Sequence, residues 1–355
     1  MRTLAAIVVG LWLAAGPANA TILAQCQEGV GCTLQGSVTT STVTTTFDST
    51  YSRQSLGINL TSSTVIPPAN RIDLPFSSAS SDFWLSFRYL PNNAGTTSGA
   101  VFVAFSVSGV YRLLLLGTGT NQQIKISKRN AAGTVTDLAT ATGSTCSNAA
   151  TPCRLDVHVV YAASGSVNVY NNGTLIATYS GDTTTDSATN LDTASLGTLA
   201  NNITTNYSEM MVADVDTRSL RLLACAPQAA GATQQWSGAA VGNINEVGID
   251  DTTFNSTGTS NQRSNWTLCS LPSGNNVVSN VTQCDRLSRS TAGGPQNYRH
   301  TLYIGSTNYD SPSDISPSTS LTTDCYNWGA NSPATGAAWT NSEISSMQAG
   351  VLSKP

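Results

Sequence analysis

The sequence predicts an all-β protein: an antiparallel jelly-roll β-sandwich followed by a second, smaller β-rich module that ends in a short helix. Three observations carry this expectation. Period-two alternation recurs along the chain, as where Leu155, Val157, Val159 and Tyr161 alternate with Arg154, Asp156, His158 and Val160, the mark of strands with one buried face. Turn signals separate these runs, led by Asn171-Asn172-Gly173; Asn-Gly is a favoured hairpin centre because both residues tolerate positive φ. Helical periodicity does not occur between residues 37 and 224, so the apolar face of one sheet must be covered by another.

Residues 1–20 read as a secretory leader: Arg2 is its positive end, Leu4 to Ala15 its apolar run, and Ala18-Asn19-Ala20 a small-x-small cleavage site. Cleavage there makes Thr21 the first mature residue. A bilayer span takes about 20 apolar residues, and no later stretch approaches that. The mature chain is therefore expected to be secreted, extracellular or at the cell surface, without membrane insertion.

Residues 21–36 form a disulfide-closed opening segment, with Cys26 and Cys32 bracketing a short loop. Ser37 to Thr46 is a Thr/Val run suited to an edge strand. Arg71 to Pro75 and Phe83 to Leu90 follow, the latter with Phe83, Leu85, Phe87 and Tyr89 against Trp84, Ser86 and Arg88. Val101 to Val110, Tyr111 to Leu116 and Gln123 to Lys128 are further strands, and the continuous run Leu113 to Leu116 suggests cover on both faces. Cys146 and Cys153 bracket a second short loop before the Arg154 to Tyr161 strand and the hairpin Val167 to Tyr170 with Thr174 to Tyr179. Gly181 to Thr198 is a polar loop, and Ser208 to Leu223 closes the sandwich, 37–224.

The texture changes at Cys225. Pro227 to Gly231 reads as a linker into the C-terminal module, 225–355, whose expected strands are Val277 to Cys284, Arg299 to Ile304 and Asp324 to Asn327. Thr340-Asn341-Ser342-Glu343 has the form of a capping box, with Ile344, Met347 and Val351 on one helical face behind it. The eight cysteines of an exported chain favour disulfides. Loop length pairs Cys26 with Cys32 and Cys146 with Cys153; Cys225 is assigned to Cys269 and Cys284 to Cys325, although sequence alone allows other connectivities. Zinc is disfavoured, since there is no C-x-x-C and only His158 and His300 are available.

Phe83 to Asn93 (FWLSFRYLPNN), Arg112 to Ile126 (RLLLLGTGTNQQIKI) and Leu155 to Asp182 (LDVHVVYAASGSVNVYNNGTLIATYSGD) carry a resemblance of residues 37–223 to concanavalin A-like, laminin-G-type jelly rolls. From Tyr207 onward the chain also resembles tailed-phage fibre and minor structural proteins, on Tyr207 to Leu220, Gly231 to Val247, Ile249 to Gln262, Gly293 to Ser311 and Asn331 to Val351 (NSPATGAAWTNSEISSMQAGV). The leader and the cysteines depart from the phage pattern and fit an exported relative. Specificity for fold is good and for ligand poor.

Charged residues are only 10% of the chain, 16 basic and 20 acidic, so there is no basic field to hold nucleic acid or an anionic membrane. A retaining glycosidase needs two carboxyls about 5 Å apart, and the E-x-D-x-x-E strand that supplies them in jelly-roll glucanases does not occur. The nearest approach is Glu209 with Asp214 and Asp216, and Asp216-Thr217-Arg218 reads better as a structural ion pair. His158 and His300 are read as surface residues, with no nucleophile elbow near either. Laminin-G-type sandwiches often bind calcium at the rim, which makes Asp182, Asp186, Asp250 and Asp251 candidate ligands; Asx turns explain the same residues. Neutral glycans are held by amides, hydroxyls and aromatic faces, so Trp84, Tyr89, Tyr170, Trp266 and Tyr309 are candidate contacts. Packing under a loop or module is the alternative for Trp84, and cross-strand packing on Thr174 for Tyr170. The seven N-x-S/T sequons beyond residue 20, Asn59, Asn202, Asn206 and Asn265 among them, follow from an Asn/Thr-rich composition.

The expectation is a non-catalytic, exported surface-recognition protein, lectin-like or adhesive, whose partner is a glycan or cell-surface polymer. The alternative is a self-associating structural subunit of an extracellular or virion-like fibre. Uncharged Thr/Val edge strands favour the second, because charge normally protects edges from pairing.

Overall fold

The tight turn at Asn172 and Gly173 forms with φ of +46° and +81°, and the strands it joins lie at one end of an antiparallel sheet. A computed structural model describes residues 2–13, 21–27, 29–41, 47, 51, 55–59, 64–91, 97–119, 122–146, 151–199, 204–238, 240–245, 251–274, 276–291 and 293–355, with 2–13, 39–41, 55–59 and 204 as backbone alone. Residues 22–219 form one unit; residues 1–21 and 220–355 form another.

The chain begins with β1 (Arg2–Leu13), a strand of the second unit. In the first unit, β2 (Ile22–Cys26), β3 (Thr33–Gln35), β4 (Val38–Ser41), β5 (Ser55–Asn59), β6 (Arg71–Ser80), β7 (Asp82–Pro91), β8 (Val101–Val107), β9 (Val110–Gly117), β10 (Ile124–Arg129) and β11 (Val135–Thr140) precede β12 (Cys153–Val160). After it come β13 (Gly165–Asn171), β14 (Thr174–Gly181), β15 (Leu191–Leu196) and β16 (Thr204–Ala213). One sheet runs β11-β10-β9-β8-β15-β6-β3; the other runs β14-β13-β12-β7-β16-β5-β4, with β2 also paired to β16.

The inward residues of β7, Phe83, Leu85, Phe87 and Tyr89, are all essentially inaccessible. They meet the facing sheet directly: Phe83 lies 5.4 Å from Phe105 and Phe87 lies 5.6 Å from Phe102, edge to face. Full burial of such a ring stabilises by about 1.5–3 kcal/mol. Leu114 and Leu116 of β9 point the other way, into a smaller cluster with Val101, Ala104 and Tyr111, which accounts for the continuous apolar run. The opening segment belongs to this unit, through β2 on β16 and β3 on β6.

The second unit holds β1, β17 (Arg221–Cys225), β18 (Ala229–Gln234), β19 (Asn255–Ser256), β20 (Arg263–Thr267), β21 (Val278–Ser288), β22 (Asn297–Ile304), β23 (Thr307–Asp310), β24 (Thr322–Gly329), α1 (Asn341–Ser346) and β25 (Gln348–Lys354). Its sheets run β17-β1-β21-β24 and β18-β20-β25-β22-β23. The apolar run read as a leader core is thus a strand, antiparallel to both β17 and β21. A short uncharged run of Ala, Val and Leu suits either role, and periodicity cannot separate them.

Three further expectations are corrected. The segment 208–223 is not one closing element: β16 stops at Ala213 and β17 belongs to the other unit. The expected linker is partly strand, since β18 starts at Ala229. The helix is only six residues long and the chain ends in a strand. Its capping box forms as expected between Thr340 and Glu343, but Met347 is already extended. Val351 pairs with Ser264 on one side and His300 on the other. Two flanking strands outweigh one turn of amphipathic helix, whose intrinsic preference is weak. All four disulfides form as assigned: Cys26–Cys32, Cys146–Cys153, Cys225–Cys269 and Cys284–Cys325.

Candidate functional site

Register on the outer face of the eight-stranded sheet sets Trp84 opposite His158 and Ser86 opposite Asp156. The Trp84 and His158 rings stack 4.5 Å apart, 7° from parallel. Tyr170 of β13 lies 5.8 Å from Trp84. Arg218, from the loop after β16, places its guanidinium carbon 4.5 Å from the Tyr170 centroid and 5.3 Å from that of Trp84; such contacts are worth about 0.5–1 kcal/mol each at exposed positions. Arg218 also grips Asp216 at 2.6 Å, and His158 Nε2 lies 2.9 Å from Asp82 Oδ1. Each ring therefore has protein neighbours against it. The patch is a half-exposed aromatic stack braced by Arg218 and His158.

Beside it lies a buried ionic row. Arg154 pairs with the inaccessible Asp156 at 3.1 Å and donates to Ser86 Oγ and the Thr217 carbonyl, while Thr217 Oγ1 donates to Asp156 at 2.8 Å. Glu209, buried where β16 bulges, faces Arg88 at 3.1 Å. Of the three carboxylates weighed for glycoside hydrolysis, Glu209 and Asp216 are thus each held by an arginine.

One open cleft of this unit, of about 530 Å³, lies at the sandwich rim. Ser81 enters it from the β6–β7 turn, Ala162 and Ala163 from the β12–β13 turn, and Asp186, Ser187 and Asn190 from the loop before β15. The loop is fixed by its own threonines. Thr183 Oγ1 donates to the Val160 carbonyl and accepts from Ala162 N, both at 2.9 Å. Thr185 N donates to Tyr161 Oη at 3.2 Å, and its hydroxyl donates to the Arg129 carbonyl at 3.1 Å. Asp186 accepts from Arg112 and from Ala131 N. Ser187, Thr189 and Asn190 are exposed, and their side chains make no hydrogen bond to the described residues. A preformed wall of hydroxyls and amide beside small apolar groups can hold a polyol.

The described residues expected for calcium are each engaged by a basic side chain. Lys128 and the hydrogen bonds from Thr184 hold the Asp182 carboxyl down to about 2, Asp186 faces Arg112, and Asp251 pairs with Arg286 at 2.7 Å in the other unit. Asp250 lies outside the described residues. Among the described residues no group of three or more His, Cys, Asp or Glu is placed to hold a metal ion.

Two of the expected sugar contacts are corrected: Tyr89 and Trp266 are core side chains, 1% and 0% exposed. Tyr89 belongs to the inward set of β7, so its alternation already placed it inside. Tyr309 is half-buried on β23, an end strand of the second unit. His300, expected at the surface, is wholly buried. Sequence reasoning missed the loop alcohols Ser187 and Thr189, because a polar loop without periodicity gives no sign of which side chains are left free. Arg218 was seen only as the partner of Asp216; its place over Trp84 depends on a register invisible in one sequence.

No protein-family model matches the chain, and no curated protein matches it. Among solved structures it is similar to an endo-β-1,4-glucuronan lyase from the fungus Trichoderma reesei, at 11% identity and TM-score 0.41, over 56% of this chain and 97% of that one. It is similar to the carbohydrate-binding module CBM66 from Bacillus subtilis, at 11% identity and TM-score 0.28, over 40% and 81%. A third likeness is to the globular domain of T. cruzi calreticulin, at 10% identity and TM-score 0.35, over 52% and 81%. Likeness this distant bears on neither ligand nor reaction.

Proposed function

We propose that this chain is an exported, non-catalytic surface-recognition protein whose sandwich unit holds a neutral carbohydrate in the rim cleft. The supporting observation is the cleft itself: about 530 Å³ of space walled by a loop that internal hydrogen bonds hold in place, with free hydroxyl and amide side chains. A preformed site loses little entropy on binding. Neutral ligands suit it because its one carboxylate, Asp186, is already matched by Arg112. Glu209 and Asp216, two of the three carboxylates considered for hydrolysis, are tied to arginines, which favours recognition without cleavage. A glycan array probed with the full chain, with and without calcium, tests it: hits expected in both conditions should weaken about tenfold or more with Ser187→Ala/Asn190→Ala. An array without hits sinks the reading.

One observation favours assembly as a second reading. β14 (TLIATYSG) ends its sheet, carries no charge and leaves Leu175 47% exposed, the kind of edge that pairs with another copy. Light scattering checks this: concentration-dependent species that Leu175→Lys disperses support assembly, and a monomer at all concentrations excludes it.

A further inference from the structure

In the second unit, β24 ends its sheet and presents Asp324, Tyr326 and Trp328 at alternate positions along one strand. Asp324 Oδ2 accepts from Tyr298 Oη at 3.0 Å and meets His300 Nε2 at 2.9 Å. Its other oxygen has no partner among the described residues, and the side chain is 44% exposed. Tyr326 stacks over His300 at 6.0 Å, and Trp328 meets Tyr326 edge to face at 4.8 Å while donating to Gln283 Oε1. Both rings are half-buried, and the Tyr326 hydroxyl has no partner among the described residues. Further in, Asp285 is 0% exposed and its Oδ1 receives no hydrogen bond, although buried acceptors are nearly always satisfied.

We propose that this flank is a second carbohydrate subsite, separate from the rim cleft, that takes one neutral sugar residue. The proposal rests on the carbohydrate reading above and not on the rim cleft. A carboxylate fixed by two donors, with one oxygen left open, accepts from a sugar hydroxyl. The neighbouring Tyr and Trp supply ring surface for C–H groups, and the tyrosine hydroxyl is a second polar contact. The half-exposed Asp324 carboxylate faces the ligand, so donor-rich neutral sugars are favoured and uronates are repelled.

Titrating the full chain with neutral and uronate oligosaccharides, followed by tryptophan fluorescence and calorimetry, tests the proposal. Neutral oligosaccharides should bind, and Tyr326→Phe, which removes only a hydroxyl, should weaken that binding about tenfold. Asp324→Asn should weaken it further, while Ser187→Ala/Asn190→Ala leaves the fluorescence response in place. Thermal melts of each variant separate lost folding from lost binding. Loss of all response in the rim variant with none in Tyr326→Phe overturns this inference and leaves the rim reading standing; the reverse pattern does the opposite. Uronates binding as tightly as neutral sugars, or no saccharide binding at all, also overturns it.

Discussion

His300 reaches across from β22 to the other sheet of its unit, where its Nδ1 lies 2.7 Å from Oδ2 of Asp285, both side chains being wholly buried. Its Nε2 meets Asp324, so the ring is held at both ends by carboxylates from β21 and β24. These two strands are also tied by the adjacent Cys284–Cys325 disulfide. Burial works against a charge on His300, but the two carboxylates outweigh it and raise its pKa from 6.5 to about 9. Burial also pushes the Asp285 carboxyl up, with His300 pulling against it.

A group whose folded pKa is raised stabilises the fold below its unfolded value, and that contribution fades as pH climbs through the folded one. Stability of the second unit should therefore fall between about pH 6.5 and 9, by an amount on the order of 3 kcal/mol at about 1.4 kcal/mol per unit. Thermal melts across that range are the check. His300→Gln should melt lower at neutral pH with a flatter profile, and a wild-type curve flat from pH 6 to 9 would contradict the clamp.

Arg154 offers a second test. Its partner Asp156 is 1% exposed, and removing one member of a buried pair strands the other charge, typically at about 3–5 kcal/mol. Arg154→Ala should lose stability on that scale in denaturant melts. Arg154→Lys should lose less, keeping the charge without the forked contacts to Ser86 and Thr217. A loss below about 1 kcal/mol in Arg154→Ala would show that the pair is solvated.

The N-terminal segment gives a third. Cleavage after Ala20, if the leader reading holds, would remove β1, the sheet partner of β17 and one of two long neighbours of β21. On the leader reading, intact mass of the chain secreted by an expressing cell should start at Thr21, and that chain should melt several degrees below one retaining residues 2–13. Equal melting temperatures would mean that β1 contributes nothing to the unit.

Much of the fold was legible because period-two alternation and Asn-Gly chemistry are local. The strand at 154–160, the hairpin at 172–173 and the inward face of β7 follow from neighbouring residues alone. The short helix forms where expected, but its reach to Val351 was overread because Ile344, Met347 and Val351 fit a helical face, while the strands that claim Val351, β20 and β22, are distant in sequence. The same limit hid the site. His158 meets Trp84, and His300 meets Asp285 and Asp324, only through long-range register. The exposed alcohols of the rim loop show themselves only once Thr183 and Thr185 are seen to be committed to the scaffold.

The central claim, a carbohydrate held at the sandwich rim, is tested most directly by mapping backbone amide shifts in the full chain as a neutral array hit is titrated in. The account predicts saturable shifts at residues 161–163 and 184–190, lost in Ser187→Ala/Asn190→Ala. Saturable binding that leaves those amides unmoved would contradict it.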